Sequence, residues 1–159
     1  MRILILLNWI SGALIFALLA ISFQAEEWTW RGLGVGAVAG HEGIIAGMRS
    51  IMVIGIAAVP LAYVVLRKLL MIVESVRVGE PFTGENAGRL RVIAWALLGL
   101  ELIHVGVVAI ASAVSTKELP LRIGDDFSVT GWLAILLLFV LAQVFREGSR
   151  MREELEGTI

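Results

Sequence analysis

The chain of 159 residues carries 58% hydrophobic and only 17% charged side chains, with a formal net charge of −1 and no cysteine. A soluble domain is on average about half apolar and about a quarter charged, so this balance points to one compact membrane unit. It excludes direct nucleic-acid binding through a basic face, and the missing cysteines exclude disulfides, thiolate metal sites and thiol nucleophiles.

Four apolar runs are long enough to span a bilayer, which takes about 20 residues with 17 to 25 the usual range. They cover roughly 3–23, 48–66, 92–114 and 129–146, and make residues 1–159 a single four-span domain. The first run is longer than the apolar core of a signal peptide, and Phe23 stands where a small residue should precede a cleavage site, so it reads as a retained helix. Asn8 and Ser11 within it read as interhelical hydrogen-bonding residues.

The segment 32–48 has glycine at 32, 34, 36, 40, 43 and 47. It reads as a re-entrant or interfacial piece, or as the frayed start of the second helix. Gly43 and Gly47 form a small-xxx-small pair that permits close helix approach. Arg49 marks the end of the second span, where its long stem can reach the interface.

After the second span, Leu69, Ile72, Val73 and Val76 fall at i, i+3, i+4 and i+7, the spacing of a short amphipathic helix. Gly79 and Pro81 then punctuate, Thr83 is placed as an N-cap, and Glu85 falls in the first turn of the next helix. The tail 147–159 reads as the fourth span running on beyond the membrane, with Arg150 and Glu154 four residues apart.

Lysine and arginine counts orient the spans. Arg2, Arg67, Lys68, Arg77, Arg89, Arg91, Arg146, Arg150 and Arg152 fall on one side, against Arg31, Arg49, Lys117 and Arg122 on the other. The positive-inside rule therefore places both termini and the loop 67–91 in the cytoplasm. Trp28, Trp30 and Trp132 fall near the outer interface and Trp95 near the inner one, as an aromatic belt requires. The expected architecture is an all-α integral membrane bundle of four transmembrane helices with short amphipathic helical extensions.

Within the third span, "GLELIHVG" (99–106) puts Glu101 and His104 on one helix face. Counted from Arg91, Glu101 lies about 15 Å deep, near the middle of a hydrocarbon core of about 30 Å. An ionised carboxylate there costs about 2.5–3.5 kcal/mol on insertion scales. Staying neutral, or pairing with a cation, is cheaper. Pro60 leaves the Ile56 carbonyl without its helical donor at about the same depth, so a protonated Glu101 donating to it would join spans two and three. The functional alternative makes Glu101 and His104 a ligand-binding or proton-linked pair, because an intramembrane ionisable residue is a candidate site and histidine titrates near neutral pH. A metal site would have to gather His41, Glu42, Glu101 and His104; a single Glu-x-x-His supplies two ligands, whereas di-metal bundles repeat the motif on two helices. No metal or other cofactor is expected. No nucleotide-binding loop, nucleophile elbow or zincin motif is present, so no enzyme is expected either.

The stretch "VGEPFTGENAGRLR", through Gly79, Pro81, Phe82, Asn86, Arg89 and Leu90, resembles a family of small bacterial four-helix membrane proteins, domain of unknown function 2975. A second echo lies in Phe145, Gly148 and the closing Glu156-Gly157-Thr158-Ile159. The resemblance implies a multi-pass protein of the bacterial cytoplasmic (inner) membrane. Such proteins are often encoded beside a small helix-turn-helix regulator, which implies a sensory or regulator-partner role. It carries over no catalytic residue, and Glu101 and His104 have no place in its pattern. The expected function is a non-enzymatic membrane sensor or regulatory partner. Its contact surface with a cytoplasmic transcription regulator would comprise Gly79, Pro81, Phe82, Asn86, Arg89 and Arg91. The alternative is a small transporter or channel subunit working as a homo-oligomer. The bilayer itself is the remaining partner.

Overall fold

The computed structural model describes residues 2–24, 41–79, 82–115 and 129–156. They form four α-helices: α1 (Arg2–Gln24), α2 (His41–Arg77), α3 (Gly84–Val114) and α4 (Val129–Glu156). Each is long and apolar enough to cross a membrane, which marks an all-α, multi-pass membrane protein. Trp28, Trp30, Arg31, Lys117 and Arg122, the glycine-rich stretch up to residue 40, Pro81 and the closing 157–159 lie outside the described residues.

α2 is longer than the second apolar run at both ends, and its start falls within the 32–48 segment, one of the two readings of that stretch. The 37-residue α2 starts at His41 instead of residue 48 and runs through the whole of 67–77. At 1.5 Å per residue it is about 55 Å long, nearly twice the hydrocarbon thickness. Within the segment 67–91 the chain is helical up to Arg77 and again from Gly84, with the break at the expected glycine and N-cap positions. The glycines at 43 and 47 do not stop α2; at Gly47 packing decides over intrinsic propensity, because the small residue lets two helices approach.

The chain divides into two compact units. One comprises Met1–Ile5, Leu61–Glu101 and Ser128–Ile159. Here Ala87, Leu90, Ile93, Ala94 and Ala96 of α3 and Ile135 and Ala142 of α4 are buried, and α2 and α3 meet where a Cβ on Gly99 would stand 3.1 Å from Leu61. Trp95 meets Phe139 edge-on at 5.3 Å between ring centres.

The other unit comprises Leu6–Pro60 and Leu102–Phe127. Asn8 donates from Nδ2 to the Val59 carbonyl at 3.1 Å, the interhelical bond expected of it. One turn on, a Cβ at Gly12 would come within 3.0 Å of both Val59 methyl groups. Gly47 is tighter still, since its Cβ would meet Val114 at 2.7 Å, whereas among the described residues nothing lies within 4 Å of a Cβ at Gly43. Among the described residues, Gly47 alone of the small-xxx-small pair makes a close helix contact. Arg49 donates to the Ser22 carbonyl at 2.6 Å and lies 4.3 Å over the Phe23 ring, closing the C-terminal end of α1.

Candidate functional site: the turn between α2 and α3

The turn is built by local rules. Val78 N–H donates to the Glu74 carbonyl and Gly79 N–H to the Val76 carbonyl, and Gly79 takes a φ of +88° that an L side chain rarely adopts. This is a glycine stop after the last helical residue. Thr83 then starts α3: its hydroxyl accepts from Asn86 N–H at 3.2 Å, and its carbonyl accepts from Asn86 and Ala87 N–H at 3.0 and 3.2 Å.

Three side chains lock the two helices across this turn. Asn86 is fully buried, at 0% exposure. Its Nδ2 donates to Ser75 Oγ at 2.6 Å, and Ser75 Oγ in turn donates to the Ile72 carbonyl at 2.8 Å. The Asn86 Oδ1 accepts from Arg89 Nη1 at 2.8 Å, and the same nitrogen approaches the Met71 carbonyl at 3.4 Å. Arg89 Nη2 pairs with Glu85 at 2.5 Å. A buried primary amide is costly unless both its ends are satisfied, and here both are. The arrangement leaves α3 one way to sit on the end of α2.

α4 closes the same corner. The Phe82 and Phe145 rings are 5.0 Å apart, and a Cβ on Gly148 would be 3.9 Å from the Phe82 ring. Ser149 is buried and donates to the Arg146 carbonyl at 2.9 Å, beneath Gly84. Phe82, Phe145 and Gly148, which belong to two separated stretches of sequence, thus form one contact.

The candidate contact residues therefore take different places. Phe82, at 50% exposure, Gly79 and Arg91 are exposed; Arg89 is half-buried and Asn86 is interior, its amide spent on Ser75 and Arg89. Pro81 lies outside the described residues. Ser75 was not picked out from sequence. Its signal is weak, a serine among apolar side chains near the end of a helix, and only its pairing with Asn86 eleven residues on reveals its role.

Glu101 and His104 lie on α3, both half-buried, and no hydrogen bond or ion pair within the described residues involves either. Ile56 belongs to the unit that does not contain Glu101. His41 and Glu42 begin α2, and their side chains lie outside the described residues. Among the described residues no group of three or more His, Cys, Asp or Glu side chains is placed to hold a metal.

A family model described as a protein of unknown function (DUF2975) matches residues 22–159. No curated protein and no solved structure matches the chain.

Proposed function

Since the chain belongs to the DUF2975 family, we propose a role consistent with the α2–α3 turn: a non-enzymatic membrane sensor or regulatory partner that docks a cytoplasmic protein on this turn. The observation that carries the reading is the contrast between a buried, doubly bonded Asn86 and the exposed Phe82 ring beside it. A half-exposed aromatic on a rigid support is a good docking anchor, because little side-chain entropy is lost when a partner covers it. The excess of lysine and arginine on this side supports a cytoplasmic turn, in keeping with the proposed bacterial inner-membrane location. The exposed Leu69, Val73 and Val76 on the last turns of α2 extend the apolar surface towards it. The choice of a helix-turn-helix transcription regulator as partner follows the family resemblance. Glu101 and His104 are the input in this reading, binding a ligand or exchanging a proton within the membrane.

The test is co-purification of the full chain with a candidate DNA-binding regulator. Retention that falls at least tenfold in Phe82→Ala, with membrane insertion unchanged, supports docking at the turn. Retention of the regulator unaffected by Phe82→Ala removes the turn from the mechanism. Glu101→Gln tests the input: it should keep docking but lose its dependence on pH or ligand.

A further inference from the structure

A second feature of the same unit lies on the lateral face of α3 and α4. A cavity of 220 Å³ is lined by Arg91 of α3 and by Phe139, Ala142, Gln143 and Arg146 of α4. On α4 these four fall at i, i+3, i+4 and i+7, one stripe of the helix. Two guanidinium groups and an amide thus open on one small space. Among the described residues no acidic side chain forms an ion pair with Arg91 or Arg146. Two cations sharing a pocket without an acid create a site for an anion, and guanidinium matches a phosphate with paired N–H donors.

The surroundings identify the source of that anion. Trp95, one turn along α3 from Arg91 and 57% exposed, packs edge-on against Phe139, with the amphipathic ring of an interfacial residue. Phe139 also lines a second, apolar cavity of 520 Å³ that continues along α4 past Val140, Leu136, Leu133 and Trp132. From Val140 to Val129 the groove covers eleven residues, about 16 Å along the helix axis. This is about the depth of one bilayer leaflet. A charged pocket at one end of an apolar groove of leaflet length has the two chemistries of a phospholipid.

We infer that Arg91, Gln143 and Arg146 hold the phosphate of an anionic phospholipid, and that its acyl chain lies in the groove that begins at Phe139. The site shares Arg91 with the candidate contact residues but does not include Phe82, and it stands whether or not Phe82 binds a regulator.

The experiment is native mass spectrometry of the delipidated full chain, titrated with phosphatidylglycerol and with phosphatidylcholine of the same acyl chains. A basic side chain near an anionic surface is worth about a factor of five in affinity. The wild type should retain phosphatidylglycerol well above phosphatidylcholine. Arg91→Gln/Arg146→Gln should lower the former about thirtyfold and the latter much less, its phosphate charge being offset by the choline cation, while Arg91→Lys/Arg146→Lys keeps most of the preference. Equal retention of the two lipids by the wild type overturns the proposal without any variant. So does full retention by the double glutamine variant. Displacement by inorganic phosphate at millimolar concentration, with no dependence on acyl chains, overturns the lipid as the occupant and leaves a free-anion site.

Discussion

Asn86 and Ser75, eleven residues apart and on opposite sides of a helix break, are joined by a 2.6 Å hydrogen bond from a fully buried amide to a hydroxyl. The bond fixes how α3 leaves α2, and so holds Phe82 beside it in place. Removing the amide leaves Ser75 Oγ without its donor and Arg89 without the Asn86 acceptor. Asn86→Ala should destabilise the protein by about 2–3 kcal/mol, and Ser75→Ala by about 1 kcal/mol. Unfolding in mixed detergent micelles measures both. Residues in contact do not add, so the double variant should cost less than the sum of the two singles. Additive losses would mean that the bond contributes nothing of its own.

Arg89 has two kinds of partner, and they should separate by substitution. Its ion pair with Glu85 faces solvent, the Glu85 side chain being 77% exposed, whereas the Arg89 side chain is only 16% exposed. An exposed pair is worth about 0.3–0.5 kcal/mol. Glu85→Ala should therefore be nearly silent in the same unfolding experiment. Arg89→Ala also strips the buried Asn86 Oδ1 of its donor and should cost about 1–3 kcal/mol. Equal effects would place the value of Arg89 in the surface pair.

The two glycines at the start of α2 should respond in opposite senses. A Cβ at Gly47 meets the Val114 side chain at 2.7 Å, inside any real contact distance, while one at Gly43 meets nothing among the described residues. Gly47→Ala should destabilise by about 1–3 kcal/mol through overpacking. Gly43→Ala should be neutral or stabilising by up to about 1 kcal/mol, from helix propensity alone. Val114→Ala should recover part of the Gly47→Ala loss.

The sidedness of the turn is open to chemical labelling because the chain has no cysteine. Val78, at 79% exposure next to the glycine stop, is a suitable reporter. Val78→Cys should react with a membrane-impermeant maleimide in inverted vesicles and stay unlabelled in intact spheroplasts. The reverse pattern would put the turn outside and defeat the positive-inside assignment.

Local signals were the readable ones. Gly79 as a stop and Thr83 as an N-cap are short-range chemistry, and both stand where their residue types place them. The four spans follow from hydrophobicity alone. The start of α2 was harder, because six glycines argue against a helix until Val114, more than sixty residues away, shows why Gly47 must be small. Asn86 could be recognised by its place in a motif, but a motif does not say whether a side chain faces a partner or the interior. The Ser75 partner and the burial of the amide answer that. Arg146 entered the sequence argument as a counted charge and Arg91 also as a candidate contact residue; their convergence with Gln143 on one cavity depends on the register between α3 and α4.

The central claim is that the turn carrying Phe82 is a cytoplasmic docking surface. It is tested most directly by placing a photo-crosslinking amino acid at position 82 in living cells and identifying the adduct. The account predicts a crosslink to a DNA-binding protein, lost when Asn86→Ala loosens the turn while the chain stays in the membrane. Adducts with lipid alone, or a protein crosslink indifferent to Asn86→Ala, would contradict it.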